Sequence, residues 1–316
     1  MKIVFMGTPE FAVPCLEACI NFEGAQVLAV FTQPDRPSGR GNKLTPPPVK
    51  VAAERCGITV YQPESIKSSD AMETLKALQP DLIVVVAYGQ ILSKEILELP
   101  VHGCINVHAS LLPRLRGASP IQWSIVSGET ETGVTTMKMS AGLDEGDMLF
   151  KEAVELSASV TGGELHDQLM SIGAAVLTKT LEAIRDNSLS PEPQAHEHST
   201  YAPKIDKKMA EIDWGRTADE ISAQSRGFDP WPAAVTSCGK VRLKLFKPVV
   251  VRLSQDDKST EAKPGTILDV SRDAFTVKAG QDAVRFYEIQ APGSRRMKVS
   301  DYLLGHRLII GDCLGA

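Results

Sequence analysis

No stretch of the 316 residues approaches the roughly 20 consecutive apolar residues that a membrane-spanning helix needs. The opening MKIVFMGTPEFAVP has one lysine and a short apolar run, but Pro9, Glu10 and Pro14 interrupt it, so it is too short for a secretory core. It reads as a first buried strand, and a cytoplasmic protein with no membrane partner is expected. No two cysteines are spaced as a CxxC pair: Cys15, Cys19, Cys56, Cys104, Cys238 and Cys313 are scattered among apolar stretches. That argues against a disulfide framework and against a zinc site, so reduced core thiols and no metal are expected. A dinucleotide fingerprint is also missing. After the first strand Gly7 is present, but Pro9 and Ala12 stand where the second and third glycines of GxGxxG belong, and Pro9 has no backbone donor to offer a pyrophosphate. No internal repeat or long low-complexity tract occurs.

What is present is an ordinary globular composition, 43% hydrophobic and 23% charged, in a chain long enough for two cores. The net charge of −5 hides an asymmetry. Residues 1–203 hold 15 lysines and arginines against 24 carboxylates, whereas residues 204–316 hold 19 against 15. A basic second half points to a polyanionic partner.

The first half alternates two periods. KIVFMG, QVLAVFTQ, LIVVVAYG and CINVHAS are short β-branched runs of the kind buried on both faces of a sheet. Helical patterns separate them at Pro9–Asn21, Val49–Cys56, Ser69–Leu78 and Ser93–Leu97, with Thr8 and Pro9 resembling an N-cap and a first-turn proline. This predicts an α/β, doubly wound, Rossmann-like and mostly parallel sheet. TGVTTMKM and DMLFKEAVEL then predict a bordering hairpin, and a long helix is expected over Thr161–Asp186. A Pro-rich polar stretch follows. Beyond it, KVRLKLFKPVVVRL, GTILDVS, AFTVKAG and AVRFYEIQ predict short strands of a smaller β-barrel, OB-like, with one clear helix at Ala218–Arg226. The expected domains are 1–188, a linker at 189–206, and 207–316.

The most informative segment is CINVHASLLPRLRGASPIQ. Strand residues two apart face one side, so Asn106 and His108 project together near the carboxyl end of a buried strand, where α/β sheets place ligand sites. An amide can donate to a developing oxyanion, and an imidazole can exchange protons near neutral pH. Two polar strand-end residues can equally be satisfied by neighbouring backbone. A later glycine-bounded acidic turn, Gly142 to Asp147, would supply a carboxylate to orient the imidazole, although Asp and Gly favour turns on their own account.

The pattern N-x-H-x-S-L-L-P-x-x-x-G over Asn106–Gly117, followed by G-L-D-x-G-D over Gly142–Asp147, resembles the signature of the 10-formyltetrahydrofolate-dependent formyltransferase family. The resemblance implies that Asn106, His108 and Asp144 are catalytic. It implies a folate site formed by Tyr88, Gly89, Ser110, Leu111, Leu112 and Pro113, with 10-formyltetrahydrofolate as formyl-donor cosubstrate. Leu115 stands where many members carry an aromatic residue.

Further features are similar to members that formylate methionyl initiator tRNA. The loop FTQPDRPSGRGNKLTPPPVK carries Arg36, Arg40, Lys43 and Lys50 with Asp35 as its only acid; basic loops are common, but in the family such a loop enters the acceptor stem. RGFDPWPAA resembles the start of the family's C-terminal domain, with Trp231 read as a buried packing anchor. Lys240, Arg242 and Lys244 alternate with Val241, Leu243 and Leu245, giving a basic strand face that is either simply solvated or a phosphate-contacting stripe. The tRNA-binding residues implied are Arg36, Arg40, Lys43, Lys204, Lys207, Arg242 and Lys244, in a chain expected to act as a monomer. The alternatives are a formyltransferase acting on a small amine, such as an amino sugar nucleotide or a purine precursor, and a formyltetrahydrofolate hydrolase.

Overall fold

The structure is a computed structural model that describes residues 1–38, 43–254, 256 and 258–315. Two compact units are present. One holds Met1–Pro120, Thr132–Val154 and His166–Ala202, the other Ile121–Glu131, Glu155–Leu165 and Pro203–Ala316, so the chain passes between them more than once.

In the first unit β1 (Lys2–Gly7) is buried from Ile3 onward and leads to α1 (Val13–Asn21) and β2 (Gln26–Phe31). The basic insertion forms a short antiparallel pair, β3 (Arg36–Ser38) with β4 (Lys43–Thr45), before α2 (Pro48–Arg55), β5 (Val60–Tyr61) and α3 (Ser69–Leu78). Then come β6 (Leu82–Val86), whose five residues are all buried, α4 (Lys94–Leu97) and β7 (Cys104–His108). Next are β8 (Arg116–Gly117), α5 (Pro120–Val126, which belongs to the second unit from Ile121 on), β9 (Glu131–Lys138), β10 (Met148–Glu155), the long α6 (Gly162–Arg185) and β11 (Tyr201–Ala202).

Among the described residues these strands build a seven-stranded sheet of order β10-β9-β7-β6-β1-β2-β5. Pairings from β5 through β7 are parallel, and β9 runs antiparallel to β7. Strands buried on both faces must be apolar throughout, which is why β1 and β6 read as unbroken runs. The chain winds to β2 and β5 on one side of β1 and later to β6 and β7 on the other, so the carboxyl ends of β1, β2 and β6 surround the topological switch point.

Thr8 does something other than cap a helix. A 3-10 turn over Glu10–Ala12 precedes α1, and neither element has a side-chain cap. The Thr8 hydroxyl donates to the Tyr88 carbonyl (2.9 Å) and accepts from the Gln33 backbone N–H (3.3 Å), tying the end of β1 to the chain just past β6 and β2. Buried strand-end backbone that lacks a ladder partner outcompetes the helix terminus for the hydroxyl.

The second unit carries α7 (Ala218–Gly227), β12 (Ala234–Cys238), β13 (Val241–Val251), β14 (Ile267–Val270), β15 (Phe275–Lys278), β16 (Ala283–Gln290), β17 (Met297–Lys298) and α8 (Val299–Leu303). The sheet order is β12-β13-β16-β15-β14, with β17 on β16, and the pairings are antiparallel. Its core joins Trp214, Ile221, Leu243, Leu245, Phe275 and Phe286. The Trp214 indole N–H donates to the Thr236 hydroxyl at 3.0 Å, satisfying its one polar atom inside that core. Trp231 is not the buried anchor expected: it is 52% exposed, and Phe228, at 2%, fills the interior instead. Strand β12 and helices α5 and α8 lack a legible period, being too short to show one. Among the described residues no helix is long and apolar enough to cross a membrane.

Candidate active site

Asn106 and His108 lie two apart on β7, in register with Met137 and Thr135 of β9, and therefore share a face of the sheet. His108 is 6% exposed. Asp144 reaches the same face from the loop between β9 and β10. It adopts φ +50°, a left-handed conformation that Asp tolerates better than most residues. The glycine two residues on is obligatory, because a Cβ at Gly146 would sit 1.8 Å from the Lys138 carbonyl oxygen.

The Asp144 carboxylate ties the cluster together. Its Oδ1 accepts from Asn106 Nδ2 at 3.5 Å, and its Oδ2 accepts from the Gly117 backbone N–H at 2.8 Å and stands 3.7 Å from His108 Nδ1. The other imidazole nitrogen, Nε2, is 2.9 Å from the Leu115 carbonyl. A carbonyl can only accept, so Nε2 carries a proton and Nδ1 is the nitrogen that faces the carboxylate. The expected role of Asp144 in orienting the ring thus falls chiefly to Leu115, which holds it at hydrogen-bond distance. Leu115 itself is at φ +57°, a costly conformation for a leucine, of the order of 1–2 kcal/mol. Its own N–H donates to the Thr200 hydroxyl at 2.8 Å.

Thr200 belongs to the stretch read as a linker, and so does the other support that the sequence hides. Gln194, 5% exposed, donates through Nε2 to the carbonyls of Asp144 (2.9 Å) and Gly146 (2.7 Å). Its Oε1 accepts from Arg116 Nε (3.0 Å) and Nη2 (2.7 Å). The same stretch pairs β11 with β8, and Gly117, at φ +115°, allows this close approach: a Cβ there would meet the Ala202 carbonyl at 2.7 Å. A polar, aperiodic, Pro-rich segment gives no signal for such contacts.

Other expected site residues fall at varied depths. Tyr88 is 2% exposed, and burial pushes its phenol above the ordinary value. Gly89 follows it at φ +87°. Ser110 is buried, with its hydroxyl donating to the Arg114 carbonyl at 2.7 Å, and Leu112 packs with Met137 and Met148. Leu111 and Pro113 remain half-buried in the loop leaving β7, and Leu143, beside Asp144, is 56% exposed. Cys104 is 1% exposed and burial pushes its thiol up to about 12, which removes it as a nucleophile. Among the described residues no group of three or more His, Cys, Asp or Glu is placed to hold a metal ion.

Of the expected tRNA contacts, Arg36, Lys43, Lys204, Lys207 and Arg242 are exposed and Lys244 is half-buried, while Arg40 lies outside the described residues. Arg36 donates to Gln33 Oε1 at 3.2 Å, and Arg242 is ion-paired with Glu211. Lys50 is engaged within the unit: it bridges Asp35 (2.9 Å) and Gln62 (2.8 Å), and hydrogen bonds from Gln62 and Lys50 hold the Asp35 carboxyl below its usual range.

Fold and cluster together define a Rossmann-like α/β protein with a polar trio at its strand carboxyl ends, joined to an antiparallel β unit. The formyl transferase family model matches residues 1–181, and the model of the formyl transferase C-terminal domain matches residues 204–307. A methionyl-tRNA formyltransferase of Alkaliphilus oremlandii is 51% identical over 315 residues, covering all of both chains. That of Clostridioides difficile is 49% identical, again covering all of both chains. Among solved structures, an N-formyltransferase from Helicobacter canadensis, in complex with folinic acid and dTDP-3-aminofucose, is similar at a TM-score of 0.64 and 19% identity, covering 92% of this chain and 99% of that one. HypX from Aquifex aeolicus, in complex with tetrahydrofolic acid, gives 0.60 at 17% identity; 96% of this chain is covered but only 47% of HypX, so the chain spans about half of that protein. At such identities the structures speak to fold alone. The chain belongs to the formyl transferase family, in its methionyl-tRNA formyltransferase branch.

Proposed function

We propose that the protein transfers the formyl group of 10-formyltetrahydrofolate to the α-amino group of methionyl initiator tRNA. The observation that carries this reading is the junction of Asn106, His108 and Asp144 in a chain that is 51% identical, end to end, to a methionyl-tRNA formyltransferase. The half-buried Leu111 and Pro113 and the exposed Leu143 flank the trio in sequence, and offer the mixed apolar and polar lining that a flat heterocyclic donor needs.

In this mechanism the neutral α-amine attacks the formyl carbon, forming a C–N bond and a tetrahedral oxyanion. The Asn106 amide donates to that oxygen, and one such donor is worth about 100–1000-fold. His108 Nδ1, the ring nitrogen left without a carbonyl, takes the proton that the amine loses, and Asp144 offsets the positive charge gained by the ring. The same proton passes to the folate nitrogen as its bond to the formyl carbon breaks, so the charges balance without a metal or a covalent enzyme intermediate.

The exposed cations Arg36, Lys43, Lys204, Lys207 and Arg242, with Lys244 and Arg40, are assigned to tRNA phosphates by the basic excess of residues 204–316 and by the family resemblance of the insertion. The deciding experiment is a formyl-transfer assay with 10-formyltetrahydrofolate and methionyl initiator tRNA, with free methionine and uncharged tRNA as controls. Transfer to charged tRNA alone is expected. Release of formate, or formylation of a small amine instead, would discard the tRNA acceptor and keep the formyl chemistry.

A further inference from the structure

We infer that Gln194 is a positioning residue for Asp144, acting through the one amide group that joins the acidic loop to Arg116. The inference rests on the catalytic reading of Asp144 given above.

A glutamine amide has two N–H donors and an oxygen with two lone pairs, and Gln194 uses all of them. Both donors close on loop carbonyls, at Asp144 (2.9 Å) and Gly146 (2.7 Å), while the oxygen takes two N–H groups from one guanidinium, Arg116 Nε (3.0 Å) and Nη2 (2.7 Å). Arg116 also donates to His196 Nδ1 at 3.3 Å. At 5% exposure the Gln194 amide has little water to fall back on, so each bond is costly to leave unmade.

The two ends of the amide govern two different determinants of the Asp144 carboxylate. One end fixes the loop backbone that carries it in a left-handed conformation. The other fixes Arg116, whose neighbour Gly117 supplies the 2.8 Å N–H to Oδ2. The contacts that Asp144 makes with Asn106 and His108, 3.5 and 3.7 Å, already lie at the edge of hydrogen-bond range, and a shift of about 1 Å at a reacting group costs on the order of 100-fold in rate. The orientation of the amide is dictated as well. Turned end for end, it would set NH2 against a guanidinium and oxygen against two carbonyls. A carboxylate at this position would keep Arg116 but repel both carbonyls when ionised, and would regain one donor when protonated.

The test measures kcat and both KM values for wild type, Gln194→Glu and the shape-matched but apolar Gln194→Met, from about pH 5.5 to about pH 8.5, with thermal midpoints to establish folding. Asp144→Asn is measured in parallel. Gln194→Glu is expected to lose about 10–100-fold in kcat at the alkaline end, the size seen when outer supports of an active site are removed, with both KM values within about threefold of wild type. Near-normal kcat in either folded variant, or a loss confined to KM, would overturn the inference. If Gln194→Glu does not fold, Gln194→Met carries the kcat criterion alone. Turnover retained by Asp144→Asn would instead remove the catalytic reading on which the inference stands, so the two failures are told apart.

Discussion

Two stretches of the first unit frame the same cluster by opposite means. Residues 104–117 form a buried strand followed by a loop. The strand alternates, so its polar members stand out against their apolar neighbours, and Asn106 and His108 are visible as a pair in the sequence itself. Residues 187–202 have no period, few apolar residues and a composition that reads as a connector, yet they contribute Gln194 and Thr200, which hold the backbone of Asp144 and Leu115. One stretch presents the side chains and the other fixes where their supports lie. A sequence advertises the first kind of contribution because reacting groups are out of place in a core. It conceals the second because a glutamine in a polar loop is never out of place.

The largest expected effects fall on the stretch that presents the side chains. Under the proposed roles Asn106→Ala, His108→Ala and Asp144→Ala each lower kcat by about 100–1000-fold or more, while equilibrium binding of methionyl-tRNA stays within about twofold. Near-normal turnover in any one strips that residue of its role. On the supporting side, Thr200→Val leaves the buried Leu115 N–H without its acceptor and should cost about 1–2 kcal/mol in urea unfolding. An unaltered midpoint would make the second stretch a passive connector after all.

Away from the cluster, Arg36→Ala, Arg40→Ala and Arg242→Ala should raise the KM for tRNA and lower the salt slope of binding by about one unit for each phosphate no longer neutralised. Stability of Arg242→Ala should barely move, because its ion pair with Glu211 lies at the surface. The smallest effect concerns the α7 capping box. Backbone and side-chain hydrogen bonds from Thr217, with Arg216, pull Glu220 down to about 2. A depressed carboxyl stabilises above its unfolded value near 4.3 and loses that contribution as pH falls toward 2. Glu220→Gln should therefore be slightly less stable than wild type at neutral pH, by under about 1 kcal/mol given its 45% exposure, and indistinguishable from it near pH 2. A gap persisting in acid would trace the effect to shape rather than charge.

Legibility follows burial and length. The helix expected at Ser69–Leu78 appears with those bounds, because a Ser68 cap and an apolar stripe of Ala71, Met72 and Leu75 fix it locally. The parallel sheet is readable because strands buried on both faces admit only one composition. Thr8 misleads because its competing partners, the Tyr88 carbonyl and the Gln33 backbone N–H, lie 80 and 25 residues away in the chain. Trp231 misleads because a proline on each side makes a stiff turn whichever way the ring points. Asp144 is placed by resemblance and by its glycines, whereas the nitrogen that His108 leaves toward it depends on the carbonyl of a strained leucine, and no pattern of letters encodes a carbonyl's direction.

That carbonyl makes the imidazole a one-ended base. With Nε2 tethered to Leu115, only Nδ1 exchanges protons in the proposed mechanism, so the proton leaving the incoming amine and the proton reaching the departing nitrogen pass through a single atom, one after the other. Both nitrogens must then approach the same edge of the ring. In that mechanism the direction from which the amine arrives matters as much as its identity, and the tethered ring acts as a stereochemical gate.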